Sequence, residues 1–151
     1  MSVFNPESFL TQQETGALST KFEPVPDGEY PAMIGADENA VKARTTASGR
    51  AILDVTWEIN DPDLATRLGR EKIIIRQSVF LDLTPQGTLD RAKGKNIQLG
   101  RLREALSQND PSRPWSPLSL RGAGPVKIRV TSRAGDDDTI YNDVKGVAKM
   151  A

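Results

Sequence analysis

The stretch that decides the fold is AILDVTWEI, residues 51–59. Apolar and more polar side chains alternate along it, and side chains of a β-strand point alternately to opposite faces of a sheet. The apolar face holds Ala51, Leu53, Val55, Trp57 and Ile59. The alternation predicts a strand with this face in a core. We expect Trp57 to pack there, although tryptophan also suits the stacking of ligands and cations.

Four other segments show the same period of two. They predict strands over residues 29–36, 71–83, 125–131 and 139–148, and the apolar stripe of residues 97–108 predicts the one helix. Residues 37–49 are polar and predict either a loop or a pair of short extensions across a turn. A turn at residues 61–63, with or without a single helical turn after it, precedes the third strand.

The expected order of elements is β-β-β-α-β-β, with the helix between the third and fourth strands. This is the order of the OB-fold, a five-stranded, partly open barrel that binds oligonucleotides or oligosaccharides on its second and third strands. Other small barrels also have five strands. We expect a mainly β protein with an OB-fold-like barrel over residues 27–151 and an extended N-terminal arm over residues 1–26. The apolar anchors of the arm are Phe4, Phe9 and Phe22.

Composition excludes most classes of enzyme. The 151 residues include no cysteine and no histidine, so the chain has no thiol nucleophile, no imidazole acid or base, and none of the usual zinc ligands. We expect a binding protein and not an enzyme, with no cofactor and no metal. The first residues lack the basic and apolar segments of a signal peptide, and no run of about 18 apolar residues occurs. These features predict a soluble, cytoplasmic protein.

Charge is distributed unevenly along the chain, although 20 basic and 20 acidic residues give no net charge overall. Residues 1–69 contain five Lys or Arg against eleven Asp or Glu, residues 70–133 contain thirteen against five, and residues 134–151 contain two against four. A cationic middle segment can bind a polyanion, because phosphate contacts depend on the local potential. The alternative is that the oppositely charged segments pair with each other in the fold.

Stacking candidates come from the outward faces of the expected strands. Binding single strands without sequence preference needs a track of positive charge and aromatic faces on which bases stack. On the third strand, Phe80 shares the outward face with Arg76 and Lys72, which makes Phe80 the first candidate. Either its ring is exposed there, or the helix, the arm or a partner subunit covers it. Tyr141, which shares a face with Lys145 on the fifth strand, is the second candidate.

Further cations complete the expected phosphate track. They are Lys93 and Lys95 before the helix, Lys127 and Arg129 on the fourth strand, and Arg44 beside the first loop. Solvated Lys and Arg side chains are also the ordinary surface of any soluble protein. We expect Trp115, in a proline-rich loop after the helix, to plug one end of the barrel.

Seven short stretches carry a resemblance to known proteins. They are SVFNP at residues 2–6, PDGEY at 26–30, LDVTW at 53–57, RQSVFLDL at 76–83, GKN and LGRLREAL within 94–106, and VKGV at 144–147. Together they resemble a family of bacteriophage and prophage proteins of about this length, long described as of unknown function and encoded beside phage recombination and replication genes. The resemblance covers nearly the whole chain. It implies a phage early protein that binds single-stranded DNA, and it implies no individual site residues.

Three hypotheses follow from these observations. The first is a phage-encoded protein that binds single-stranded DNA, or RNA, in replication and recombination. It would be a homo-oligomer in the bacterial cytoplasm, away from membranes, with phage recombination proteins as further partners. The second is a phage adaptor or structural interaction module with Phe80 as an interface anchor. The third is a nuclease that holds its metal through carboxylates. The position of four cations separates the first two hypotheses. The second gains support if no single surface holds an aromatic ring together with Lys72, Arg76, Lys127 and Arg129.

Overall fold

A computed structural model describes residues 3–18, 23–137 and 139–150. The elements in chain order are α1 (Pro6–Phe9), β1 (Gly28–Ile34), β2 (Val41–Thr45), β3 (Ala51–Ile59), α2 (Pro62–Leu68), β4 (Ile73–Phe80), α3 (Ile97–Ala105), a 3-10 helix (Pro117–Leu120), β5 (Val126–Ala134) and β6 (Ile140–Lys149). The expectation of a mainly β protein is confirmed, with six strands in the described ranges. Phe22, one of the expected anchors of the arm, lies outside the described residues.

The strands form one antiparallel sheet in which β3 is central. β4 pairs along the whole of one edge of β3, while β2 and β1 pair in turn along the other edge. β5 pairs with the free edge of β1, and β6 pairs with β5. β1 and β2 therefore share one edge of β3, and β4 and β6 are the two ends of the sheet.

The two ends of the sheet approach each other without joining. Cα atoms of β4 and β6 come within 8 Å, yet no ladder pairs these strands in the described part of the chain. Helix α3 packs against both, and it buries Leu99, Leu102 and Ala105. The sheet is thus curled but open, with α3 at the opening.

The segment expected to be a loop or short extensions contains β2. Val41 of β2 pairs with Val55 of β3, and Thr45 pairs with Ala51. Val41 is buried and the other four residues of β2 are exposed. Because a strand with one inward residue shows no alternation of apolar and polar side chains, the sequence signal for β2 is weak.

β4 is shorter than the expected strand over residues 71–83. It ends at Phe80, although the N–H of Leu81 still donates to the carbonyl of Ala51 in β3 at 3.0 Å. From Asp82 onward the partner changes. The N–H of Asp82 donates to the side-chain oxygen of Asn96 at 2.9 Å. A side chain from the start of α3 therefore replaces a neighbouring strand at this point.

The core confirms the prediction for Trp57, which has no exposed surface. Its indole N–H donates to the side-chain oxygen of Gln77 at 2.8 Å, and Gln77 is itself 7% exposed. Trp57 and Gln77 come from β3 and β4, so this hydrogen bond joins the central strand to an end strand within the core. A buried polar group without such a partner would cost about 1–3 kcal/mol.

β6 departs from the alternation expected of it. Val130 pairs with Val144, and Arg129 pairs with Gly146, so Lys145 is an additional residue without a partner of its own. Such a β-bulge reverses which residues face inward. Val147 consequently lies opposite the buried Ile128, so a strict period of two does not hold along β6 beyond Lys145.

The N-terminal segment lies largely outside the sheet. In α1 the Asn5 side chain accepts from the N–H groups of Glu7 and Ser8, and no residue of α1 is buried. Val25, expected to belong to the arm, is 1% exposed and lies in the core. Its N–H and carbonyl both bond to the Asn142 side chain at 2.9 Å. Among the described residues, no helix has the length and apolar character needed to cross a bilayer.

Candidate nucleic-acid interface

The outward side chains of β2, β3 and β4 form the first surface, which we call the β4 face. Phe80 stands at its edge opposite Ile52 of β3, and the Phe80 side chain is 49% exposed. The guanidinium of Arg50, in the turn between β2 and β3, lies 5.2 Å from the centre of the Phe80 ring. The ring is therefore half open in the single chain, with a cation beside it.

Ion pairs neutralise part of the charge on the β4 face. Arg44 Nε lies 2.6 Å from a carboxylate oxygen of Asp54, and Lys72 Nζ lies 3.4 Å from one of Glu58. Arg76 is exposed and has no ion pair among the described residues. These arrangements bring Phe80, Arg76, Lys72 and Arg44 onto one face, as the sequence predicts for the first three.

The loop of residues 84–96, called the basic loop below, adjoins the Phe80 end of this face. Lys93 and Lys95 are both exposed in it. Lys95 and Arg50 line the same open hollow of about 310 Å³, together with Asp82 and Asp90. The basic loop thus extends the β4 face past Arg50 toward α3.

Asn96 fixes the end of the basic loop to the end of β4. Its side-chain N–H₂ donates to the carbonyls of Asp82 and Asp90 at 2.8 and 3.0 Å, and its own backbone N–H donates to the Asp82 carboxylate at 3.0 Å. With the Asp82 N–H bond described above, four hydrogen bonds join Asn96 to Asp82 and Asp90. Lys95, the residue before Asn96, is therefore held near the end of β4.

Trp115 is a candidate that the sequence did not predict for binding. It is half-buried and packs against the core on part of its surface, and its indole N–H donates to Gln108 at 2.9 Å. The guanidinium of Arg103, on α3, lies 4.2 Å from the centre of the ring. The sequence shows only a tryptophan between two prolines, and this pattern does not indicate that Arg103 packs on its ring.

The remaining predicted residues form a second surface on β5 and β6. Lys127 Nζ lies 3.5 Å from a carboxylate oxygen of Glu29, and Arg129 is paired across the sheet with Glu29. Tyr141 is 42% exposed and has the Arg133 guanidinium 5.1 Å from its ring centre. Lys145 is exposed at the bulge of β6.

The predicted site residues therefore lie on two surfaces. On the path through the sheet, β3 and β1 separate β4 from β5, and each of them carries a carboxylate paired with a lysine, Glu58 with Lys72 and Glu29 with Lys127. A single cationic track from Arg76 to Arg129 is not formed across these strands. The aromatic residues divide in the same way, with Phe80 on one surface and Tyr141 on the other.

The sequence matches no protein-family model and no curated protein. In the ranges that the structure describes, no group of three or more Asp or Glu is placed to hold a metal ion. The carboxylate nuclease hypothesis thus finds no ligand cluster there.

Proposed function

We propose that this chain binds single-stranded DNA with little sequence preference, using the β4 face and the basic loop, and that its curled sheet is an OB-type barrel. The observation that carries the proposal is the Phe80 ring, half exposed with Arg50 beside it, on a face that also presents Arg76. Every base has a π-face, so an aromatic ring can stack any of them, with about 1–3 kcal/mol for each base. Cations beside the ring would hold the adjoining phosphates.

The pairing of the strands supports an OB-type barrel. β1 and β2 pair with the same edge of β3, so together they occupy the place of one long, interrupted first strand. β3 and β4 are then the second and third strands, and α3 precedes the fourth, which is the OB-fold order. In that fold the second and third strands are the usual oligonucleotide surface, and Phe80 lies on the third.

The cellular role that we propose rests on the resemblance to phage early proteins. The chain would coat single strands during phage replication and recombination in the bacterial cytoplasm, in contact with phage recombination proteins. Exposed apolar residues of the arm support self-assembly. They include Val3, Phe4, Phe9 and Leu10.

Phe80→Ala, with Tyr141→Ala as the matched control, tests the proposal. Both rings are about half exposed with an arginine beside them, but they lie on different surfaces. Fluorescence anisotropy with labelled oligo-dT should show about 5- to 150-fold weaker binding for F80A, which corresponds to the loss of one base stack. Y141A should bind as the wild type does. Equal loss in both variants, or a loss in Y141A alone, would refute the assignment of the β4 face.

Salt and competitor experiments test the choice of ligand. Affinity for oligo-dT should fall steeply as salt is added, because bound phosphates release counterions. A gel shift with single-stranded DNA, duplex DNA and RNA side by side should show preference for the DNA single strand. A wild-type protein that shifts none of the three would contradict the proposal.

A protein-interaction module is the second candidate function. The exposed apolar arm favours it, and so does the division of the cations between two surfaces separated by Glu29 and Glu58. If this candidate is right, neither the wild type nor F80A binds nucleic acid. The gel shift with wild-type protein therefore separates the two candidates.

A further inference from the structure

An open groove of about 530 Å³ lies between α3, the basic loop and the chain that follows α3. Leu89 and Leu99 contribute apolar surface to it, and Trp115 contributes its indole ring. The charged residues that line it are Arg91, Lys95, Arg103, Arg113, Asp90 and Asp110. Cations therefore outnumber carboxylates by four to two around an aromatic ring.

Both carboxylates of this groove already have partners. Asp110 accepts hydrogen bonds from the backbone N–H and the hydroxyl of Ser112, and it lies 3.6 Å from Arg113. Asp90 accepts from the N–H of Ala92 at 2.9 Å. In the described ranges, neither carboxylate forms an ion pair within 4 Å with Arg91 or Arg103.

Arg91 and Arg103 therefore leave a local excess of positive charge. Arg103 donates its Nε–H to the Gln108 carbonyl at 3.0 Å, and its guanidinium covers the Trp115 ring. Burial, and after it the nearby charge of Arg91, lower the pKa of Arg103. Two guanidinium groups that line one groove without an ion-pairing carboxylate of their own favour an anion there.

This groove is continuous with the surface that carries Phe80. Asp90 and Lys95 line both the groove and the hollow beside Arg50. The Arg50 guanidinium in turn lies over Phe80. A DNA single strand that passes from Phe80 over Arg50 would reach Lys95 and then the Arg103–Trp115 pair. It would cross no β-strand of the sheet on the way.

We propose that the groove is a second stacking station for the same single strand. One base stacks on the Arg103–Trp115 pair, and the adjoining phosphodiester lies between Arg91 and Lys95. Guanidinium planes and aromatic rings both stack unpaired bases, and a second station lengthens the footprint of the barrel. This inference rests on the proposed function, and it adds a binding position that the β4 face alone does not provide.

Tryptophan fluorescence tests the second station directly. The chain has two tryptophans, and Trp57 has no exposed surface, so Trp115 is the one that a ligand can reach. An oligo-dT of about 20 nucleotides exceeds the usual site of one OB domain and should reach both stations. Its addition should quench the emission of the wild type. W115F should bind the oligonucleotide with no such quenching.

Arg103→Met measures the contribution of the guanidinium, with Arg101→Met as its control. Arg101 is exposed on the same helix but does not line this groove. R103M should weaken oligo-dT binding about fivefold or more, while R101M should bind as the wild type does. If thermal melting shows that R103M does not fold, R91M in the exposed loop provides the same comparison.

The outcomes separate this inference from the function on which it rests. If wild-type protein binds oligo-dT and F80A weakens binding, but Trp115 emission stays constant and R103M matches R101M, the second station is refuted and the β4 face stands. If anisotropy detects no binding by the wild type, both are refuted. Quenching together with a selective loss in R103M supports the station.

Discussion

Asn96→Gly should destabilise the protein by about 3 kcal/mol. Asn96 is in the left-handed region, with φ of 52°, so glycine keeps the backbone conformation without strain. The variant loses the three side-chain hydrogen bonds to Asp82 and Asp90. At about 1 kcal/mol each, reduced because the site is half-buried, these bonds contribute about 2–3 kcal/mol. The greater freedom of glycine in the unfolded chain adds about 0.5–1 kcal/mol.

Urea unfolding followed by circular dichroism measures this change, with Asn109→Gly as the control. Asn109 is exposed, and its side chain makes no hydrogen bond among the described residues, so N109G reports the effect of glycine alone. We expect N109G to lose less than about 1 kcal/mol. If the loss in N96G comes within about 1 kcal/mol of the loss in N109G, the hydrogen bonds at Asn96 do not hold the basic loop.

Further variants test the hydrogen bonds of Trp57 and of Asn142. Trp57→Phe removes the donor to the buried Gln77 oxygen and leaves unfilled volume, so it should lose about 2–4 kcal/mol in urea unfolding. Adding Gln77→Leu to W57F should recover part of the lost unfolding free energy. If the losses of the two substitutions simply add in the double variant, the hydrogen bond between Trp57 and Gln77 is not important for stability. Asn142→Ala removes both bonds to Val25 and should expose residues 23–27 to proteases. Unchanged cleavage there, measured by limited proteolysis and mass spectrometry, would show that Asn142 does not anchor this segment.

Elements with a regular burial pattern were predictable from the sequence. β3 spans residues 51–59, as its alternation predicts, because both of its edges are paired and its inward face is continuous. In β4, Ile73, Ile75 and Val79 are buried while Phe80 is exposed, again as the period of two predicts. Local pattern suffices where one face of a strand meets the core.

Features that depend on distant residues were not predictable. The additional residue in β6 changes which side chains face inward, and only the pairing with β5 reveals it. The stacking of Arg103 on Trp115 joins residues on either side of a turn rich in proline. Both depend on a partner that lies elsewhere in the chain. α2 is different: it has seven residues where at most one turn was expected, although its start and end signals are local, with Asp61 capping its start and Gly69, with φ of 66°, ending it.

Two segments next to the opening between β4 and β6 can change in length at little cost to the sheet. The basic loop enters α3 and the segment carrying Trp115 leaves it, and neither contributes a residue to the pairing between the named strands. Insertions or deletions in these two segments alter the groove without shifting the register of any ladder. Such changes would leave the six paired strands of the described sheet as they are.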